Sequence, residues 1–276
     1  MGIYTKTVTT TYANLKFALQ GLTADSNIIV SDPQNAIIGN VSTAGTLGYI
    51  INNNGSKKVD FSDTDFSSAS LATDTTNAFY NCTRLVAMGK LPTTITNATN
   101  MFYLDTALVS ANTAWVINVT NATQMFQSTA LTNVDTNYFT KLITGDYMFA
   151  GCSGISSIST AAFKNVQSAH GMFGSMTLLS SIDISKMTKL KTVDAMFYGD
   201  TALLKILALD NVLSLSAEPT SDNTFLKETS SSLSFIVTPT SYSTWVGRLT
   251  TNYAKWGLSA ALAPKQATLL IYHRIA

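Results

Sequence analysis

The sequence predicts a parallel β-solenoid whose coils are about 24 residues long. Three observations carry that prediction. One phrase returns six times between Ala78 and Leu209: an apolar residue, a Phe, a short polar turn and two spaced apolar residues. Its phenylalanines, Phe79, Phe102, Phe126, Phe149, Phe173 and Phe197, are separated by 23, 24, 23, 24 and 24 residues. A fixed period of this size marks units that cannot bury an apolar face alone and therefore stack on their neighbours. Secondly, the flanking positions keep their character from unit to unit. In the Phe173 unit, Val166, Ala169 and Met172 stand seven, four and one residue before the Phe, and Leu179, Ile182 and Met187 stand six, nine and fourteen after it. Thirdly, the stretch Ser181-Ile182-Asp183-Ile184 alternates apolar and polar residues as a strand does.

Each part of the coil follows from these columns. The position four before the Phe is small or slim throughout (Ala98, Ala122, Gly145, Ala169, Val193), which predicts a turn lying close against the next coil. The spacing of three between the −7, −4 and −1 positions suits a short helical or 3₁₀ segment. A coil is thus read as one short strand, a turn and an irregular or 3₁₀ segment, with strands stacking in parallel at roughly 4.8 Å per coil.

Upstream of the repeats, residues 1–10 are Thr-rich and extended in character. Tyr12, Leu15, Leu19 and Leu22 predict a short amphipathic helix over 11–22, ended at Gly21. The apolar runs at 28–30, 37–38 and 49–51, separated by turn residues, read as strands. Residues 1–55 are read as an N-terminal cap or attachment domain, and Val59-Asp60-Phe61 opens a solenoid assigned to 56–239. Downstream the period decays. Phe225, with Leu233, Phe235 and Val237, is read as a seventh, irregular unit. Tyr242, Trp245, Leu249, Tyr253 and Trp256 mark one face of a helix stopped by Gly257, and 268–275 reads as a final strand. Residues 240–276 are the C-terminal cap.

The phrase MFYGDTALLKI, preceded by SSIDISKMTKLKTVDAMF, resembles the BspA-like leucine-rich repeats of bacterial surface proteins. That pattern runs Met-Phe, a small turn, Cys or a substitute, Leu, then Ile-Asp-Leu and a later hydrophobic residue. The likeness covers about half the chain and recurs six times. The chain departs from it in keeping Cys only at Cys82 and Cys152, and in placing Thr or Ala eleven residues after several of the phenylalanines. The resemblance implies a non-enzymatic recognition protein displayed outwards, and a helix after Val-x-Pro is similar to the C-terminal cap of that family.

Composition narrows the function. The charged fraction is only 12% and the formal net charge is +1, so Thr, Ser and Asn must cover the surface. Nucleic-acid binding needs clustered Lys and Arg, and none is present, so no nucleic-acid partner is expected. No run approaches eighteen apolar residues, so no membrane insertion is expected. The first residues lack a charged region followed by an apolar run, and no secretory leader is expected. Cys82 and Cys152 each lie three after a Phe, in coils three apart. That places them roughly 14 Å apart, beyond the roughly 7 Å a disulfide spans, so both are expected to be free, buried thiols.

Nucleophilic catalysis has little to stand on. The two histidines, His170 and His273, sit in no motif with Ser or Cys, and G-x-S-x-G is absent. No cofactor is expected. Two surfaces are candidates for binding. Three before the Phe in successive coils stand Asp146, His170 and Asp194, a stacked column that could hold a divalent metal or form a solvated charge ladder. Beside the inward residue of each strand stand Asn112, Asp135, Ser159 and Asp183, with Ser157 and Ser181 two residues earlier in their coils. These should point outward, where hydroxyl, amide and carboxylate groups can meet a glycan or a protein.

The fold expected is a parallel β-solenoid-like leucine-rich repeat with irregular or 3₁₀ segments, an N-terminal α/β cap and a C-terminal helical cap. The function expected is a non-enzymatic structural or binding protein: a phage virion component (fibre, spike or capsid decoration) presenting the repeat surface for host attachment. Its expected partners are a host cell-surface protein or glycan, other virion proteins through 1–55, and further copies of itself as a homo-oligomer. The alternative is an extracellular or bacterial cell-surface adhesin.

Overall fold

The computed structural model describes residues 3–207, together with 225–226, 233–237 and 270–272. The proposed C-terminal helix, from Tyr242 to Trp256, lies outside the described residues. The chain winds into a β-solenoid of about eight turns, with corresponding positions about 24 residues apart. One continuous apolar core runs along it. The six repeat phenylalanines form its spine. All are fully buried. Consecutive rings from Phe79 to Phe197 lie 5.2–6.2 Å apart and within 15° of parallel.

The strands are short and every pairing among the described residues is parallel. Strands β1 (Thr7–Thr10), β2 (Ser26–Val30), β4 (Val59–Phe61), β6 (Leu85–Met88) and β7 (Ser110–Ala111) form one sheet in that order. Strands β8 (Ser181–Asp183), β9 (Lys205–Leu207), β10 (Ser234–Val237) and β11 (Leu270–Tyr272) form a second. A two-stranded ladder of β3 (Ile37–Ile38) and β5 (Ser70–Leu71) lies to the side. Sheet hydrogen bonds therefore cross position 55, since β2 pairs with β4. The final strand expected within 268–275 is β11, laid on β10.

Between β7 and β8 two coils carry no strand at all. Their cause is legible. Eleven residues after Phe102 and Phe149, and ten after Phe126 in its shortened coil, stand Thr113, Thr160 and Thr136, each almost fully buried. The Thr113 and Thr136 hydroxyls donate to the carbonyls of Asp135 and Ser159 in the next coil at 2.6 and 2.7 Å, and Thr160 donates to Asp183. Side-chain hydroxyls thus tie these coils together where a strand ladder would otherwise run. Where Ile184 replaces Thr, the strands return as β8 and β9.

The segment around each Phe is not 3₁₀. The residues two before and two after every Phe have positive φ, from Asn77 (54°) and Asn81 (57°) to Ala195 (55°) and Gly199 (74°). Left-handed residues interrupt a helix. In the Phe102 coil, Met101 N–H donates to Ala98 and Asp105 N–H to Phe102. Each turn has its positive φ at the third residue, the signature of type II. The intervening N–H groups of Ala98, Asn100, Phe102 and Leu104 donate to Asn121, Thr123, Met125 and Gln127 of the following coil. The three-residue column spacing therefore reflects two stacked type II turns. The slim −4 position lies against the next coil: a Cβ on Gly145 would sit 2.9 Å from Cε of Met172, the movable end of that side chain, and Ala98, Ala122, Ala169 and Val193 stand there in other coils.

The N-terminal region differs from expectation at one run. Residues 49–51 are not a strand but lie in helix α2 (Leu47–Asn53). Leu47, Ile50 and Ile51 are buried at helical spacing, and the Thr46 hydroxyl oxygen caps the helix by accepting from Tyr49 N–H. At its other end the Arg84 guanidinium donates to the carbonyls of Ile51 and Asn54, placing a cation at the helix C-terminus. Helix α1 (Leu15–Gln20) is shorter than the expected 11–22, with Leu15 and Leu19 inward. At the far end the register moves by one. Phe197 N–H donates to Phe225 O, which puts Leu226 rather than Phe225 in the place of the next Phe. Phe225 still closes the file, meeting Phe197 edge-on at 5.2 Å.

Two stability outcomes follow from the turn and the file. Phe126→Ala should cost ~3–5 kcal/mol, because neighbouring rings cannot close the gap. The left-handed positions should show opposite signs: Ser128→Gly raises stability and Gly199→Ala lowers it, each by about 1 kcal/mol. Urea unfolding curves check all three, and a destabilised Ser128→Gly would contradict the second.

Candidate functional site

Among the described residues three surfaces carry side chains able to do chemistry. The first is the strand face. Asn112, Asp135, Ser159, Asp183, Ser157 and Ser181 are all exposed. Four of them also serve the backbone. Oδ1 of Asn112, Asp135 and Asp183 accepts the N–H two residues on, at 2.8–3.0 Å, and Ser159 Oγ accepts Ala161 N–H at 3.3 Å. These are turn-forming hydrogen bonds of the kind short polar side chains make with their own chain.

The second surface is the column three before the Phe. The structure brings Asp146 and His170 together through the backbone: Asp146 Oδ1 accepts His170 N–H at 2.9 Å and the Ser168 hydroxyl at 2.6 Å. The imidazole turns elsewhere, with Nε2 2.5 Å from Tyr147 Oη. Among the described residues no three His, Cys, Asp or Glu side chains converge as metal ligands do. In earlier coils the same need is met within one coil. Asp74, Asn97 and Asn121 each accept from the backbone and hydroxyl of Thr76, Thr99 and Thr123. The Asn-x-Thr triplets at 97–99 and 121–123 are thus turn devices of the fold.

The third surface was not singled out from the sequence. It lies on the residue following each Phe, which reads Tyr80, Tyr103, Gln127, Ala150, Gly174 and Tyr198. Tyr80 and Tyr103 rest against each other with centroids 5.5 Å apart. At Ala150 and Gly174 the column loses its side chains, and an open groove of about 370 Å³ remains, walled by Gln127, Tyr147 and Tyr198. The signal was present in the succession MFY, MFQ, MFA, MFG, MFY.

Tyr147 is held in place from three directions. Its backbone is left-handed, with φ of 55°, an uncommon state for a bulky residue. Its ring crosses Gly171, where a Cβ would collide with it. Its hydroxyl meets His170, the two rings 4.8 Å apart. Burial raises its pKa, and the nearby Asp146 and Asp194 carboxylates raise it further, so the phenol keeps its proton at neutral pH.

Other ionisable groups are internal. Three after the Phe stand Cys82, Asp105, Cys152 and Asp200, all buried. Both thiols are free, as the coil spacing requires, and burial pushes Cys152 up to about 11. Asp105 and Asp200 each accept one N–H from the preceding coil, at Cys82 and Met176, while Oδ2 of each lacks a partner. Burial raises both carboxyls, Asp200 to about 8. Burial thus favours the protonated form of both carboxyls in the core.

A comparison with protein-family models finds no match, and neither the curated proteins nor the solved structures yield one. The class that the geometry defines is a parallel β-solenoid with stacked type II turns. No helix among the described residues is long and apolar enough to cross a membrane.

Asp200 makes stability pH-dependent. Its folded pKa of about 8 lies above the unfolded value, so its stabilisation is full below about pH 4 and is lost as pH rises through about 8. Across that window it removes up to about 1.4 kcal/mol per pH unit. Asp200→Asn, which keeps the bond from Met176 N–H, should flatten Asp200's share of the slope in urea unfolding measured at several pH values. An unchanged slope would show that the group does not hold its proton.

Proposed function

We propose that the chain is a non-enzymatic recognition protein whose solenoid belongs to the BspA-like leucine-rich repeats. We further propose that it serves as a fibre, spike or decoration of a phage virion that attaches to a host surface, as a homo-oligomer, with residues 1–55 toward the other virion proteins. The observation that carries this reading is the linear display of exposed polar side chains along the strand face. Side chains in successive coils repeat at the spacing of the stacked strands, roughly 4.8 Å. Such a row suits an extended partner, a glycan or a protein edge, better than it suits a reacting centre. The uncharged Thr, Ser and Asn surface agrees with a glycan or protein partner rather than a nucleic acid. An adhesin of a bacterial cell surface would use the same face in the same way.

Substitution of the outward carboxylates tests the face while sparing the turns. Asp135→Asn and Asp183→Asn each keep the oxygen that accepts the local N–H. The double variant should bind host envelope about tenfold more weakly, a change of about 1.4 kcal/mol, in a pull-down against whole cells. Unaltered binding would remove this face from the function. Light scattering separates the two settings, because a stable monomer counts against a fibre.

A further inference from the structure

We infer that the turn-face groove at Ala150 and Gly174 is a binding site for a neutral hexopyranose. The inference rests on reading the chain as a recognition protein, and not on the strand face. The groove arises where the column of residues after the Phe drops from Tyr and Gln to Ala and Gly and then returns to Tyr198. Its volume of about 370 Å³ lies at the small end of ligand sites, a size that suits one sugar ring.

The chemistry of the lining selects the ligand. A pyranose has an apolar face of C–H groups and an equator of hydroxyls. Tyr147 and Tyr198 supply apolar ring faces with polar tips. Gln127 and the hydroxyls of Ser128 and Ser175 line the same space. Gln127 accepts from the Gln124 amide through Oε1 at 2.7 Å, which leaves its own NH₂ to donate. Three backbone donors of the floor are already in use. Ser128 N–H is spent on Ala150 O, Gly151 N–H on Gly174 O, and Ser175 N–H on Tyr198 O. A peptide strand could not be added to such a floor, whereas a sugar needs only side-chain partners. Among the described residues no Lys or Arg lines the groove, so this lining offers an anionic sugar or a phosphate no charge partner.

Pre-organisation supports the assignment. Tyr147 keeps a left-handed backbone that costs a bulky residue about 1 kcal/mol, and it is braced by His170 and laid across Gly171. The packing of the core does not call for that tyrosine, since Asn, Gln, Gly and Ala fill the same column in other coils. Strain of this kind gathers where a side chain must be aimed.

Saturation-transfer NMR on the full chain tests the site with methyl glycosides of glucose, galactose, mannose and N-acetylglucosamine as probes. At least one should show transfer, strongest at the C–H protons of one ring face, with Kd on the order of 1 mM. Ala150→Tyr refills the gap with a side chain that the column already carries at 80, 103 and 198, and should abolish the signal while the thermal melt stays unchanged. Tyr198→Ala should weaken binding roughly tenfold, and Asp135→Asn with Asp183→Asn should leave it intact. Transfer to none of the four probes, or transfer that survives both Ala150→Tyr and Tyr198→Ala, overturns the site. Transfer to adenosine in place of the glycosides overturns the sugar chemistry. Loss of host binding in the strand-face variant with the glycoside signal preserved would separate the two surfaces.

Discussion

In the coils of Phe102, Phe126, Phe149 and Phe173 every second backbone N–H between positions −4 and +2 donates to the coil that follows, and the stacking of the repeats depends on it. The donors of Ala98, Asn100, Phe102 and Leu104 show the pattern, and Phe126, Phe149 and Phe173 repeat it with Met148, Met172 and Met196 as acceptors. A buried N–H left without a partner costs about 1–3 kcal/mol. The alternation satisfies these groups without a strand, because left-handed residues turn each second amide along the rod axis. Once the turns are locked this way, the Phe side chains have one direction available, and their rings fall into file. The stacking of the aromatic rings is thus a consequence of backbone bonding, to which the rings then add their buried area.

The rest of the coil is held by whatever device its sequence provides. Where apolar residues follow the strand position, as at Ile184, a parallel ladder forms. Where Thr stands there, its hydroxyl takes the next carbonyl and the ladder lapses. The polar turn before the Phe shows the same freedom. Asp74, Asn97 and Asn121 cap their own coils, whereas Asp146 caps the next one at His170 N–H. A solenoid needs each coil to be satisfied by its neighbours, and several local solutions meet that need equally well.

What could be read from the sequence follows from this division. The period and the buried columns were legible because apolar side chains have one place to go. The free thiols were legible because coil spacing alone excludes a disulfide. The type II turns were harder, because a spacing of three suits either a helix or a pair of turns. The Asn and Gly residues at 77, 81, 100, 151, 171 and 199 were the available cue, since these tolerate positive φ. Helix α2 was hidden for a similar reason: Tyr49-Ile50-Ile51 reads as a strand until Thr46 is recognised as its cap. The register slip at Leu226 could not be read, because a Phe one place early looks like the repeat.

The groove escaped notice because it is made of what the sequence leaves out. Periodic reading rewards positions that stay constant, and the residue after each Phe is the one that varies. That variability has a structural permission. The position supplies its backbone carbonyl to the preceding coil whatever its side chain, so a change from Gln to Ala or Gly leaves that bond in place. Gln127, Ala150 and Gly174 all supply the same carbonyl to the preceding coil, to Leu104, Ser128 and Gly151. A rod built on backbone ladders can therefore alter its outer columns one residue at a time. Its surface relief is written by side-chain size alone, and a pocket appears wherever two adjacent coils carry small residues between large ones.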